Sequence, residues 1–156
     1  MTAPAETQAQ PVASRVTSAG EWSGTAEQCT LDYDERFLRR KVLAMDTGET
    51  FLVDFAHATS LNAGDAFVLD DERLVEVVAA TEPLLEIRGD ELHRLAWHIG
   101  NRHTPCQIGE GRLLIKRDHV LADMLIRLGA SLENVVEPFT PEGGAYGHGR
   151  THGHAH

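Results

Sequence analysis

Leu84-Leu85-Glu86-Ile87-Arg88-Gly89-Asp90-Glu91-Leu92-His93-Arg94-Leu95-Ala96-Trp97-His98-Ile99-Gly100-Asn101 is the stretch that decides how this chain folds. Its apolar opening, Leu84 to Ile87, is strand material, and Pro83 just before it marks a bend or demotes a central strand. Gly89-Asp90 then breaks the run, and Asp90 has the side chain to cap a helix over Glu91 to Ile99. Within that helix Leu92, Leu95, Ala96 and Ile99 recur at i, i+3, i+4 and i+7, the stripe of a helix laid on a core. Gly100-Asn101 stops it, and Pro105 forbids its continuation.

Downstream the pattern turns over again. Cys106-Gln107-Ile108 and Arg112 to Lys116 flank a Gly109-Glu110-Gly111 turn, which predicts a hairpin. Asp118 is placed to cap a second helix, His119 to Leu128, that Gly129 ends. Leu132 to Phe139 supplies a last strand before Pro141-Glu142-Gly143-Gly144. Leu74 to Ala80 reads as strand broken from Leu84 to Ile87 by Pro83, so the order from Leu74 is strand, helix, strand, strand, helix, strand. That is the order of a ferredoxin-like βαββαβ sandwich, two helices on one side of an antiparallel sheet.

Upstream, Val42 to Met45 and Thr50 to Phe55 enclose a turn with Gly48, and Ala66 to Leu69 follows Ala63-Gly64-Asp65. These are short strands and tight turns. The expected class is therefore α+β: a small all-β N-terminal domain over residues 21–73, a ferredoxin-like C-terminal domain over 74–140, and a flexible His-containing tail over 141–156. Residues 1–20, rich in Ala, Thr, Gln, Pro and Ser, read as a disordered extension. About 120 residues remain to fold, enough for one ordinary domain or two small ones.

The net charge is −10, from 24 acidic and 14 basic residues. With no long basic stripe interleaved with aromatics, nucleic acid and anionic membranes are poor partners. One basic cluster, Arg36 to Lys41 (RFLRRK), reads as the solvated side of a strand. No apolar stretch approaches the roughly 18 residues of a membrane span. Cys29 and Cys106 form no CxxC pair, so no disulfide framework or cysteine zinc site is indicated, and a soluble, cytoplasmic protein is expected.

Histidine carries the chemistry. Four of the nine histidines, His148, His152, His154 and His156, fall in the last nine residues, separated by small or polar residues rather than run together as in a purification tag. Imidazole is the commonest ligand for nickel, copper and zinc, so the tail is a candidate loose metal holder, beside the plainer reading of a solvated end. His93 and His98 lie about 140° apart on the first helix and cannot share an ion through that helix alone. On the second helix, Val120, Leu121, Met124, Leu125 and Leu128 form the expected buried arc. His119 projects elsewhere, near Ala122 and Ile126 with Asp123 alongside. An exposed Ile beside Ala and His suits contact with another chain, and a two-fold axis through that face would pair two copies of His119. His119, Ala122 and Ile126 are thus the candidate dimer interface, and His119 is the candidate metal ligand.

These segments resemble the UreE family of urease accessory proteins. The likeness rests on Leu92-His93-Arg94-Leu95-Ala96-Trp97-His98-Ile99-Gly100-Asn101-Arg102-His103 with Pro105 and Gln107-Ile108, on Asp118-His119-Val120-Leu121-Ala122-Asp123-Met124-Leu125, and on Pro138-Phe139-Thr140-Pro141-Glu142-Gly143-Gly144-Ala145-Tyr146 before the tail. It extends more weakly through Asp34-Glu35-Arg36, Arg39-Arg40-Lys41, Gly48-Glu49, and Gly64-Asp65 with Val68 to Asp71. The resemblance implies a β-rich N-terminal domain that binds partners, a C-terminal domain that forms a homodimer, and metal bound at the dimer interface by His119. Tail histidines would add or stabilise sites. Leu114-Ile115-Lys116-Arg117 stands where some relatives carry further histidines, so fewer ions per dimer are expected.

The function so implied is transport: Ni(II) is taken up, held, and surrendered through a UreG-type GTPase to the urease apoprotein. Zn(II) and Cu(II) should compete in vitro, copper more tightly. The chain is not expected to be an enzyme. His119 to Asp123 lacks the second histidine and the general-base glutamate of a zincin, and no GxSxG elbow or phosphate loop is present. The alternative is passive nickel or zinc storage, or a metal-responsive regulator, distinguished by DNA binding against transfer of metal to a GTPase.

Overall fold

The computed structural model describes residues 10–143 and divides into two compact units. The first comprises the chain through Leu31 and Arg36–Val78. The second comprises Asp32–Glu35 and the described residues from Ala79 onward.

In the first unit six strands, β1 (Val12–Thr17), β2 (Glu27–Leu31), β3 (Phe37–Ala44), β4 (Thr50–Ser60), β5 (Ala66–Leu69) and β6 (Leu74–Ala79), form one sheet in the order β2-β6-β5-β1-β4-β3. The expected hairpin is present as β3 and β4, antiparallel, with Val42 opposite Leu52. Alternation sets the core, since Phe51, Val53 and Phe55 of β4 point inward at every second residue. Phe67 packs edge-on to Phe51 with ring centroids 5.2 Å apart, and stacks on Phe55 at 6.2 Å.

Two expectations are corrected here. Residues 1–20 do not all behave as a disordered extension: Val12–Thr17 is a strand between β5 and β4. Ala13 is fully buried, and the segment beyond β1 is tied down by Asp65, whose carboxylate accepts from the Ala19 N–H at 2.9 Å, while the Trp22 indole donates to the Gly64 carbonyl. Long-range pairing supplies what a polar composition hides, and Met1 to Ala9 lie outside the described residues. The boundary also moves from residue 73 to the neighbourhood of Val78, because β6 pairs with β5 in the first sheet.

In the second unit β7 (Thr81–Arg88), α1 (Leu92–Asn101), β8 (Gln107–Gly109), β9 (Arg112–Lys116), α2 (His119–Arg127) and β10 (Ser131–Pro138) follow in turn. The sheet order is β10-β7-β9-β8, and each neighbouring pair is antiparallel. Pro83 lies inside β7 opposite Val136, yet β9 pairs with β7 only from Leu84, so the proline occupies a place with no β9 neighbour. Leu85, Ile87, Leu113 and Ile115 of one sheet face pack with Leu95 and Ile99 of α1 and Leu121 and Leu125 of α2. On the other face Leu84, Leu114 and Phe139 cluster with Tyr33, whose ring meets Phe139 edge-on at 5.4 Å.

Beside that smaller cluster lies an ionic group. Arg112 bridges Glu86 at 2.7 Å and Glu137 at 2.6 Å, and Arg88 holds the other oxygen of Glu86. The Arg112 hydrogen bond, reinforced by Arg88, holds the Glu86 carboxyl below its usual range, and Arg112 does the same to Glu137. The Glu86 side chain is only 8% exposed, so its pairing is poorly screened by solvent. A carboxyl with a lowered folded pKa contributes stability that is complete above its unfolded pKa and lost as pH falls through the folded one. The urea midpoint should therefore drop as pH falls below the ordinary carboxylate range, and Arg112→Met should both lower the midpoint at pH 7 and flatten the acid decline. An acid limb as steep in Arg112→Met as in wild type would count against this assignment.

Candidate functional site

The second helix is built to present its first residue. Asp118, in extended conformation, accepts from the backbone N–H groups of Val120 at 2.9 Å and Leu121 at 3.1 Å, satisfying two donors that a helix start leaves open. Gly129, at φ 92, ends α2 in the left-handed region where glycine carries no Cβ penalty. The same Asp118 oxygen takes both bonds, so one oxygen of that carboxylate is engaged in capping.

His119 is exposed at the first position of α2. Ile126 is 57% exposed, and Asp123 is exposed one turn on from His119. Ala122 is half-buried and packs against the unit's own core cluster, so it forms the inner margin of this face rather than its centre. The expected buried arc is narrower than its sequence pattern. Leu121 and Leu125 are buried and Met124 half-buried, whereas Val120 is 63% and Leu128 40% exposed. Val120 and Leu128 stand at the two ends of a short helix, outside the buried centre that Leu121 and Leu125 form.

Near those exposed apolar side chains lies a shallow depression of ≈ 400 Å³, lined by Arg102, Val120, Asp123, Met124, Arg127 and Leu128. Arg102 had no place in the sequence-based site. It is the C-cap of α1, and only the packed fold brings that end of α1 beside α2.

The first helix follows its pattern with displaced ends. Leu95 and Ile99 are buried and Leu92 and Ala96 pack against the same cluster, as the stripe predicts. The cap is Glu91 rather than Asp90, without a side-chain cap bond, and α1 runs on to Asn101. The stop expected at Gly100-Asn101 falls just beyond them, at the Arg102 C-cap, and His103 takes the left-handed conformation at φ 57. His93 is exposed and His98 half-buried, with the Trp97 and His98 rings edge-on at 5.0 Å. Cys106 is half-buried, and burial together with Glu142 pushes its thiol up to about 11. That holds it as a protonated thiol, an inert form.

Among the described residues no three His, Cys, Asp or Glu side chains converge in a way that could hold a metal ion. The tail candidates His148, His152, His154 and His156 lie outside the described residues. The root of the tail is described: the Thr140 N–H donates to the Gln107 side chain and the Glu142 N–H to the Cys106 carbonyl. No helix among the described residues is long and apolar enough to cross a membrane.

An α+β chain of two units agrees with the comparisons. The family model described as the UreE urease accessory protein N-terminal domain matches residues 9–80, and that of the C-terminal domain matches residues 82–156. The chain is 64% identical over 146 residues to the urease accessory protein UreE of Ruegeria pomeroyi, covering 94% of this chain and 98% of that protein. To the protein of the same name from Rhodobacter capsulatus it is 59% identical over 144 residues, 92% of each, and to that of Cereibacter sphaeroides 60% over 147 residues, 94% of this chain and 80% of that one. The chain belongs to the UreE family of urease accessory proteins.

Proposed function

We propose that this chain is a nickel-binding metallochaperone that delivers Ni(II) for assembly of the urease metallocentre. The observation that carries the reading is the placement of His119, exposed at the start of a capped helix, with a largely exposed isoleucine and an aspartate on the same outward face. A lone imidazole is a weak holder, and the described part of one chain gathers no third donor beside it. In this reading a homodimer joins through the face of His119, Ala122 and Ile126, and the two copies of His119 clamp one ion. His148, His152, His154 and His156 complete the coordination shell from the tail.

The second unit is read as ferredoxin-like, which its element order and its β10-β7-β9-β8 antiparallel sheet support. Chemistry follows from the donor set. Imidazole nitrogens with water or carboxylate suit Ni(II), and donors on a tail can be replaced one at a time by a receiving protein, so cargo is released without breaking a rigid cage. The receiving partners are a UreG-type GTPase and the urease apoprotein in the cytoplasm, with Zn(II) and Cu(II) as competitors. The chain acts by transfer and not by catalysis.

The experiment is a nickel titration by calorimetry across pH. A coordinating imidazole must be neutral, so protons compete with the metal, and affinity should fall by at least about tenfold from pH 8 to pH 6. Affinity unchanged over that interval would overturn imidazole ligation.

A further inference from the structure

The basic cluster flagged in the sequence occupies an unusual place in the first unit. Arg36 is not part of a solvated face: it is 2% exposed and donates to the Leu31 carbonyl at 2.9 Å. Arg39, Arg40, Lys41 and Val42 are all exposed, so the inward–outward alternation of β3 lapses over four consecutive residues. The register against β4 shifts between Leu38 and Arg40, so parity holds from Arg40 onward, with Arg40 and Val42 on one face and Lys41 on the other, and Arg39 lies at the shift itself. Neither face is covered there.

Three further observations bear on this stretch. First, β3 is an outer strand whose ladder runs to β4, and β2 meets the chain at the end of β3, where Cys29 donates to the Ala44 carbonyl and Gln28 and Thr30 bond Asp46. The other edge of Leu38–Leu43 therefore offers main-chain groups with no ladder partner among the described residues. Second, Arg73, Arg88, Arg94, Arg112 and Lys116 each hold a carboxylate, whereas Arg39, Arg40 and Lys41 hold none among the described residues. Third, no acid occurs in Phe37–Ala44, and Asp54, the register partner of Arg40, is the one acid in the facing part of β4. In a chain of net charge −10, that is a local reversal of sign.

We propose that the open edge of β3 over Arg39–Val42 docks an acidic, extended segment of a partner protein by strand addition. The ladder groups supply affinity, and alternate carboxylates of the guest meet Lys41 on one face or Arg40 on the other, with Arg39 at the register shift adding a further cation, the guanidinium groups binding in bidentate fashion. Charge selects the guest. A second β3 would bring six like charges together, so the edge repels its own copy and accepts a segment of opposite sign. This docking does not depend on His119.

The test uses the full chain and a labelled, acetylated peptide of alternating Glu and Val, followed by fluorescence anisotropy at low salt. Saturable binding is expected, weakened at least tenfold by Arg39→Gln/Arg40→Gln/Lys41→Gln and by N-methylation of alternate peptide nitrogens. Hydrogen exchange should slow at the amides of 38–43. The three side chains are exposed, and a melting curve matching wild type checks that the variant folds. Equal binding by the triple variant, equal binding of the N-methylated or an alternating Lys and Val peptide, or protection confined to other strands would each overturn the proposal. So would tighter binding to RNA or to phosphatidylglycerol vesicles than to the acidic peptide.

Discussion

A chain carrying His119→Ala is expected to lose its tightest nickel ion, whereas a chain cut after Gly147 is expected to keep that ion and bind fewer in total. The contrast follows from where the donors sit. His119 is fixed to the first turn of a capped helix over a packed core, so a clamp built from two copies costs little ordering on binding. In the proposed reading, donors in the tail add ions without setting the strongest site. Size-exclusion chromatography with metal analysis reads both quantities and also reports whether the shared ion runs with a dimer. Equal metal content in wild type, His119→Ala and the truncated chain would reject both assignments.

The second large effect separates two adjacent residues of α2. Leu125 is fully buried beneath the helix, and Leu125→Ala should cost about 2–5 kcal/mol in urea unfolding, the range for a leucine cavity in a tight core. Ile126 is 57% exposed, so Ile126→Ser should change the stability of the monomer by no more than about 0.5 kcal/mol. If this face joins two copies, the same substitution should weaken self-association at least tenfold at micromolar concentrations. An Ile126→Ser chain that dimerises as wild type does would remove Ile126 from the interface, whatever its metal content.

How far the sequence could be read depended on whether local or distant residues decided each feature. The stripe of Leu92, Leu95, Ala96 and Ile99 and the Asp118 cap are local, and both appear as expected. β1 was missed because Val12–Thr17 is mixed in polarity and gains its order from partners on β4 and β5, far along the chain. The β6 boundary shifted for the same reason, since Pro83 looked like a break within one strand and the true break falls between two sheets. Arg36 and Arg102 were likewise invisible, one read as solvated and buried in fact, the other brought to α2 only by packing. For the candidate site, position on the helix was legible for His119, while burial at the ends of α2 was not.

Tyr33 comes from the short run Asp32–Glu35, which belongs to the second unit although the strands on either side of it belong to the first. Its ring covers Phe139, and its N–H is accepted by Glu82 at 2.8 Å. A gene fragment starting at Ala79 would thus encode every strand and helix of that unit yet omit an aromatic lid and a donor that its carboxylate uses. Dissecting this protein into halves by a single cut, as one would for beads on a string, produces a piece that is missing a part of itself.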